Sequence, residues 1–224
     1  MALANSILED DIRTDIETRT DSMLSLNKLI RRQSDTDKEL LLLHSIPIVY
    51  SIWEGFVQTS FQTYIRELNK LGLTIDTVCE PILIYHLEAE FKQFKEYPDK
   101  NPRKIHFFNN LKQFLRSTTF AIHTPINTES NVGFNVLNGI LEQFQLGQIP
   151  EYPQPRYSLP NELDKFLLNR RNRVAHGDHK SIIVTVDDLD RAITLVKMLM
   201  DLVSEKIFTG FQEKSYLRSS SSQK

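Results

Sequence analysis

Residues 161–177 read NELDKFLLNRRNRVAHG, and the placement of their apolar side chains decides the fold. On a wheel of about 100° per residue, Leu163, Phe166, Leu167 and Val174 gather on one side, the face that a helix turns to a core. Leu168, Asn172, Ala175 and His176 fall roughly opposite. Pro160 or Asn161 begins this helix and Gly177 ends it. Apolar residues on both faces predict a second contact, against another copy of the chain. Within Asn169–Lys180 the helix also gathers four bases, two Asn and two His.

Outward from this segment the same reasoning predicts helices along most of the chain. Ile12, Ile16, Met23, Leu26 and Ile30 recur at helical steps over residues 5–32, and the acidic first half (Glu9, Asp10, Asp11, Asp15, Glu17, Asp21) complements the helix dipole as a solvated face. A second helix follows SDTDKE, residues 34–39, and runs toward Gly72, with Trp53, Phe56 and Phe61 as its aromatic centre and a kink expected from Pro47 near His44. Glu54 is read as exposed or satisfied by a hydrogen bond. A third helix is predicted over residues 81–94, then a loop at EYPDKNPRK, residues 96–104, and a short helix around Val136, Ile140, Leu141 and Phe144. Four prolines make residues 147–160 an irregular connection, long enough to suggest that it covers a site or reaches a partner. KSIIVTV, residues 180–186, alternates like a strand or is simply extended; Thr185 and Asp188 then resemble a capping box for a last helix with Leu189, Ile193, Val196, Met200, Val203 and Ile207. The prediction is an all-α, up-and-down bundle over residues 1–213, with residues 214–224 a flexible Ser-rich tail.

Composition limits function. The 224 residues carry a formal net charge of −2, so nucleic acid binding must come from local patches rather than the whole-protein field. One cysteine, Cys79, rules out an internal disulfide and a cysteine-cluster zinc site, and it reads as a small buried hydrophobe. His44, His86, His106 and His123 are scattered without ligand spacing, so no metal or cofactor is expected. No apolar run of about 20 residues and no signal peptide is evident, which leads to the expectation of a cytoplasmic protein without a membrane segment. One local patch stands out. From Lys92 to Arg116 there are seven bases against two acids, with Phe94, Tyr97, Phe107, Phe108 and Phe114 interleaved. Cations beside rings suit single-stranded RNA, whose phosphates seek charge and whose bases seek stacking surfaces. Lys100, Arg103 and Lys104 are the candidate phosphate contacts, and Phe107 and Phe114 have the spacing of core residues.

RNRVAH, residues 171–176, resembles the R-[polar]-x-x-x-H signature of HEPN-domain ribonucleases, with four residues between Arg and His. WEGF (53–56) and ESNVGFNVLNGIL (129–141) are similar to the MAE-type HEPN-like subgroup. The resemblance implies a helical-bundle homodimer that cleaves RNA without metal, in a toxin or antiviral-defence setting with an antitoxin or defence-system protein as possible partner. In that chemistry a 2′-OH must lose a proton, the departing 5′-oxygen must gain one, and the phosphorane must meet positive charge. Imidazole, with an ordinary pKa near 6.5, exchanges protons near neutrality; guanidinium clamps phosphate in two-pronged fashion. By resemblance Arg171 holds the phosphate, His176 is the acid or base, and Asn172 orients one of them, while Arg170, Arg173, His179 and Lys180 contact substrate. Each helix offers one such His, and a symmetric dimer brings two. Asp178 stands where some relatives have a modifiable Tyr, so that control is not expected here.

Other readings remain open. Arg, Asn and His before Gly177 also suit a helix C-terminus, where cations and Gly are favoured. A HEPN-like bundle binding RNA, a nucleotide or a protein without catalysis fits the same residues, as does a helical antitoxin or adaptor.

Overall fold

A computed structural model describes residues 2–117, 120–129, 131–178 and 182–218. Three long helices, α1 (Ala2–Ile30), α2 (Asp35–Asn69) and α7 (Val186–Gln212), pack against one another in all three pairings. α3 (Glu80–Glu90) lies against α5 (Phe134–Gln143), and α4 (Asn101–Leu115) stands at the periphery. A π-helix, Pro160–Leu168, runs directly into α6 (Asn169–Ala175), and this segment packs on α2. No strand occurs among the described residues; two isolated bridges pair Val78 with Leu217 and Gln154 with Tyr157. The chain is all-α.

The apolar periodicity explains this packing. Ile12, Met23 and Ile30 of α1 are buried, as are Leu189, Ile193, Val196, Met200, Val203 and Ile207 of α7. α2 supplies the centre, where Trp53, Phe56, Phe61 and Tyr64 have no exposed surface. Each such side chain contributes roughly 1.5–3 kcal/mol relative to exposure. The helix continues through Pro47, so the expected kink does not divide it. By length and composition α2 is apolar enough to cross a membrane, contrary to the sequence expectation, yet it is the helix on which α1, α6 and α7 pack.

Several local expectations are revised. The third helix ends at Glu90, and Lys92–Phe94 forms a 3₁₀ turn. The expected loop at residues 96–104 closes early, because Pro102 at the N-terminal positions of α4 starts a helix that includes Arg103 and Lys104. Residues 182–184 alternate as foreseen, with Ile182 and Val184 buried and Ile183 84% exposed, but no second strand pairs with them. The Thr185–Asp188 capping box is present, with Asp188 N–H donating to Thr185 Oγ1 (3.1 Å) and Thr185 N–H to Asp188 Oδ2 (3.0 Å). Residues 214–218, expected to begin the tail, fold back: Tyr216 is buried, Cys79 N–H donates to Tyr216 O, and Arg218 N–H donates to Thr77 O. Residues 219–224 lie outside the described residues.

Candidate functional site

The site begins with how the motif helix winds. Over Pro160–Leu168 the bonding is of the i→i+5 kind, with Asn169 N–H reaching Asp164 O before the regular helix takes over. This looser winding rotates residue 168 from where a 100° step puts it. Leu168 is therefore half-buried against the core instead of facing outward, while Leu163, Phe166, Leu167 and Val174 are buried as expected. The outer face retains exposed Ala175 and His176.

Helix α6 ends in a Schellman arrangement. Gly177 has φ +80°, its N–H donates to Val174 O, and Asp178 N–H donates to Arg173 O. The C-cap reading of the sequence is thus realised in the backbone, and it fixes His176 as the last residue of the turn. Asp178 also accepts from Arg173 Nε (3.0 Å) and Nη2 (2.9 Å).

Arg171 points to the junction of α2 and a strap made of residues 122–129 and 131–133. Its guanidinium carbon sits 4.8 Å from the centre of the Tyr50 ring, and its Nη1 donates to Asn172 Oδ1 (2.8 Å) and, more weakly, to Asn131 Oδ1 (3.3 Å). Among the described residues nothing accepts a hydrogen bond from its Nε or Nη2. The platform beneath it is hydrogen-bonded on both sides of Val132. Tyr50 Oη accepts from Val132 N–H (2.6 Å), and Trp53 Nε1–H donates to Val132 O (3.0 Å), so both polar groups of one strap residue are held from α2. Burial, and next the Glu54 carboxylate, push the Tyr50 phenol up to about 12. Glu54 is satisfied as expected, its Oε1 accepting from Thr128 Oγ1 (3.1 Å), which in turn accepts from Gln58 Nε2 (3.1 Å).

The strap is sewn to the motif segment as well. Asp164 Oδ1 accepts from Phe134 N–H (2.8 Å), and a Cβ at Gly133 would stand 2.6 Å from that oxygen. Sequence reasoning does not give Tyr50, Asn131 or Asp164 a place in the site. The signal available was the ESNVGF stretch, which places Asn131 two residues before Gly133.

The remaining candidates are dispersed. Arg170 turns inward: its Nη1 lies 2.6 Å from Asp188 Oδ1, and its guanidinium caps the Phe166 ring at 4.8 Å, so it joins α6 to the start of α7 and is not a free substrate contact. Arg173 is engaged by Asp178. His179 and Lys180 lie outside the described residues. Lys100, just before α4, and Arg103 within it are exposed, and Lys104 Nζ lies 5.3 Å from the Tyr97 ring centre. Among the described residues no hydrogen bond or ion pair joins α4 to α6. A cleft of about 800 Å³ opens between α3, the strap and α5, lined by Tyr85, Lys92, His123, Asn127 and Asn135 among others, and it contains none of the motif residues. No group of three or more His, Cys, Asp or Glu able to hold a metal occurs among the described residues.

The RNRVAH segment thus sits on a short polar helix within a bundle of long helices. The chain belongs to the RiboL-PSP-HEPN family, whose family model matches residues 14–208. The superfamily expected from RNRVAH is thereby met, and the MAE-type subgroup is not specified by the match. No curated protein and no solved structure matches the chain.

Proposed function

We propose that this HEPN domain is a metal-independent endoribonuclease of the toxin or antiviral-defence type, acting in the cytoplasm on RNA as a homodimer. The observation that supports it is the state of Arg171. Its charge lies over the Tyr50 ring, its Nη1 is engaged by Asn131 and Asn172, and the Nε/Nη2 edge is left to pair with two phosphate oxygens. In the reaction the 2′-oxygen bonds to phosphorus, the bond from phosphorus to the 5′-oxygen breaks, one imidazole takes the 2′-OH proton, and another protonates the leaving oxygen. Arg171 carries the charge of the phosphorane and Asn172 orients the guanidinium.

Arg171 and His176 are separated by about 7.5 Å along the helix axis and about 140° around it. That separation favours a site completed by the second copy, whose exposed Ala175–His176 face would bring the other imidazole. End-group analysis tests the chemistry: RNA fragments made in EDTA should end in a 2′,3′-cyclic phosphate. Fragments bearing 3′-hydroxyl ends, or cleavage that requires added Mg²⁺, would overturn it. A non-catalytic binding module would leave RNA intact under the same conditions.

A further inference from the structure

We propose that α4 and the turn preceding it form a second binding site, for unpaired nucleotides, separate from Arg171 and His176. It rests on the proposed function only in taking RNA as the natural strand. α4 is attached to the bundle through rings. Phe107, 4% exposed, is the hub, with Phe94 and Phe108 each 5.3 Å away between centroids and Tyr97 at 6.3 Å. Phe114 lies against His86 at 5.2 Å and anchors the other end. The sequence spacing marks Phe107 and Phe114 as core candidates, and the structure shows which of the other rings stay in solvent. Phe107 is inside, whereas Phe94, Tyr97 and Phe108 leave 48%, 54% and 53% of their surface in solvent.

Half-exposed rings fixed around a buried one form a surface that water solvates poorly and that a flat base covers well. Charge selects the occupant. Across residues 92–116 the chain carries seven bases (Lys92, Lys95, Lys100, Arg103, Lys104, Lys112, Arg116) against two acids (Glu96, Asp99), on a protein of net charge −2. Among the described residues no ion pair holds Lys100, Arg103, Lys112 or Arg116. The ligand is therefore a polyanion with apolar faces. An acidic peptide meets the charge requirement and would use the exposed Ile105 and Leu115. The rings favour a nucleic acid strand, because Lys104 Nζ, over the Tyr97 ring at 5.3 Å from its centroid, supplies a phosphate partner within the cluster of half-exposed rings. In a duplex the base faces are already stacked on each other, so the site should take single strands.

Fluorescence anisotropy with the full chain tests this, using a short labelled oligothymidylate and its 2′-O-methyl oligouridylate counterpart. Neither has a 2′-OH able to attack, so binding is read apart from cleavage. Both strands should bind, and a duplex of the same length more weakly. Tyr97→Ala and Phe108→Ala should each weaken binding about tenfold at every salt concentration, within the range for base–aromatic stacking. Tyr97→Leu and Phe108→Leu, which keep apolar packing on Phe107 but lose the flat face, should weaken it similarly. Lys100→Ala and Arg103→Ala should instead reduce the salt slope by about 0.7 each. Failure of the strands to bind, equal binding by folded ring variants, or equal affinity for duplex would overturn the proposal. Capture of an acidic peptide in place of the strands would do so too. If the strands bind as expected but RNA is not cut, this site stands and the nuclease reading falls; cleavage without ring-dependent binding gives the reverse.

Discussion

Arg171 rests on Tyr50, its guanidinium carbon 4.8 Å from the ring centre, while the hydroxyl of the same tyrosine accepts the Val132 N–H at 2.6 Å. One side chain thus supports the motif cation and holds the strap that carries Asn131. The two roles separate by substitution. Tyr50→Phe keeps the ring but leaves the Val132 N–H without its acceptor, so stability measured by urea unfolding should fall by about 1–3 kcal/mol with RNA cleavage largely retained. Tyr50→Leu removes the cation–π contact as well, and cleavage should then fall with stability.

Gly133 is required by its neighbour. A Cβ there would approach Asp164 Oδ1 at 2.6 Å and Leu168 Cδ2 at 3.4 Å, in a place where Asp164 already holds the Phe134 N–H. Gly133→Ala should destabilise the chain by about 1–3 kcal/mol, the usual cost of overpacking. Adding Asp164→Ala should cost less in the Gly133→Ala background than in the wild-type chain, since the carboxylate that clashes is gone. Thermal unfolding of the two single variants and the double variant measures this coupling.

Asp188 predicts a dependence on pH. Burial pushes its carboxyl up, but hydrogen bonds from the Thr185 N–H and hydroxyl, together with the Arg170 guanidinium, outweigh this and hold it below the ordinary value. A lowered folded pKa means that its contribution is fully present above the unfolded value of about 3.9 and is lost as pH falls through the lower folded value. Asp188→Ala should therefore cost about 1–2 kcal/mol near pH 7, as loss of a cap does. The gap between variant and wild type in unfolding experiments should narrow below about pH 4.

Much of this arrangement was legible because it follows from local periodicity. Leu163, Phe166, Leu167 and Val174 were assigned to the core from helical spacing, and Thr185 with Asp188 from a cap of three-residue reach; both are short-range patterns that the chain obeys. The misreadings have long-range causes. Leu168 was placed outside because a wheel assumes a constant step, and the π-helix changes it. The ion pair of Arg170 is not legible around the motif because its partner, Asp188, belongs to another helix. The site roles of Tyr50 and Asn131 are not legible because both meet Arg171 only through folding, Asn131 across 40 residues. In the basic segment the spacing marked Phe107 and Phe114 as core candidates but said nothing of which other rings stay in solvent.

Single-turnover cleavage of RNA in EDTA, with wild-type chain compared with His176→Ala, tests the central claim most directly. General acid–base catalysis is worth about 10²- to 10⁴-fold, and His176 is an exposed residue at the end of its helix whose loss leaves the core intact. The account predicts cleavage by the wild-type chain in EDTA and a rate at least about a hundredfold lower for a folded His176→Ala variant. Equal rates for the two proteins, or no cleavage by the wild-type chain, would contradict it.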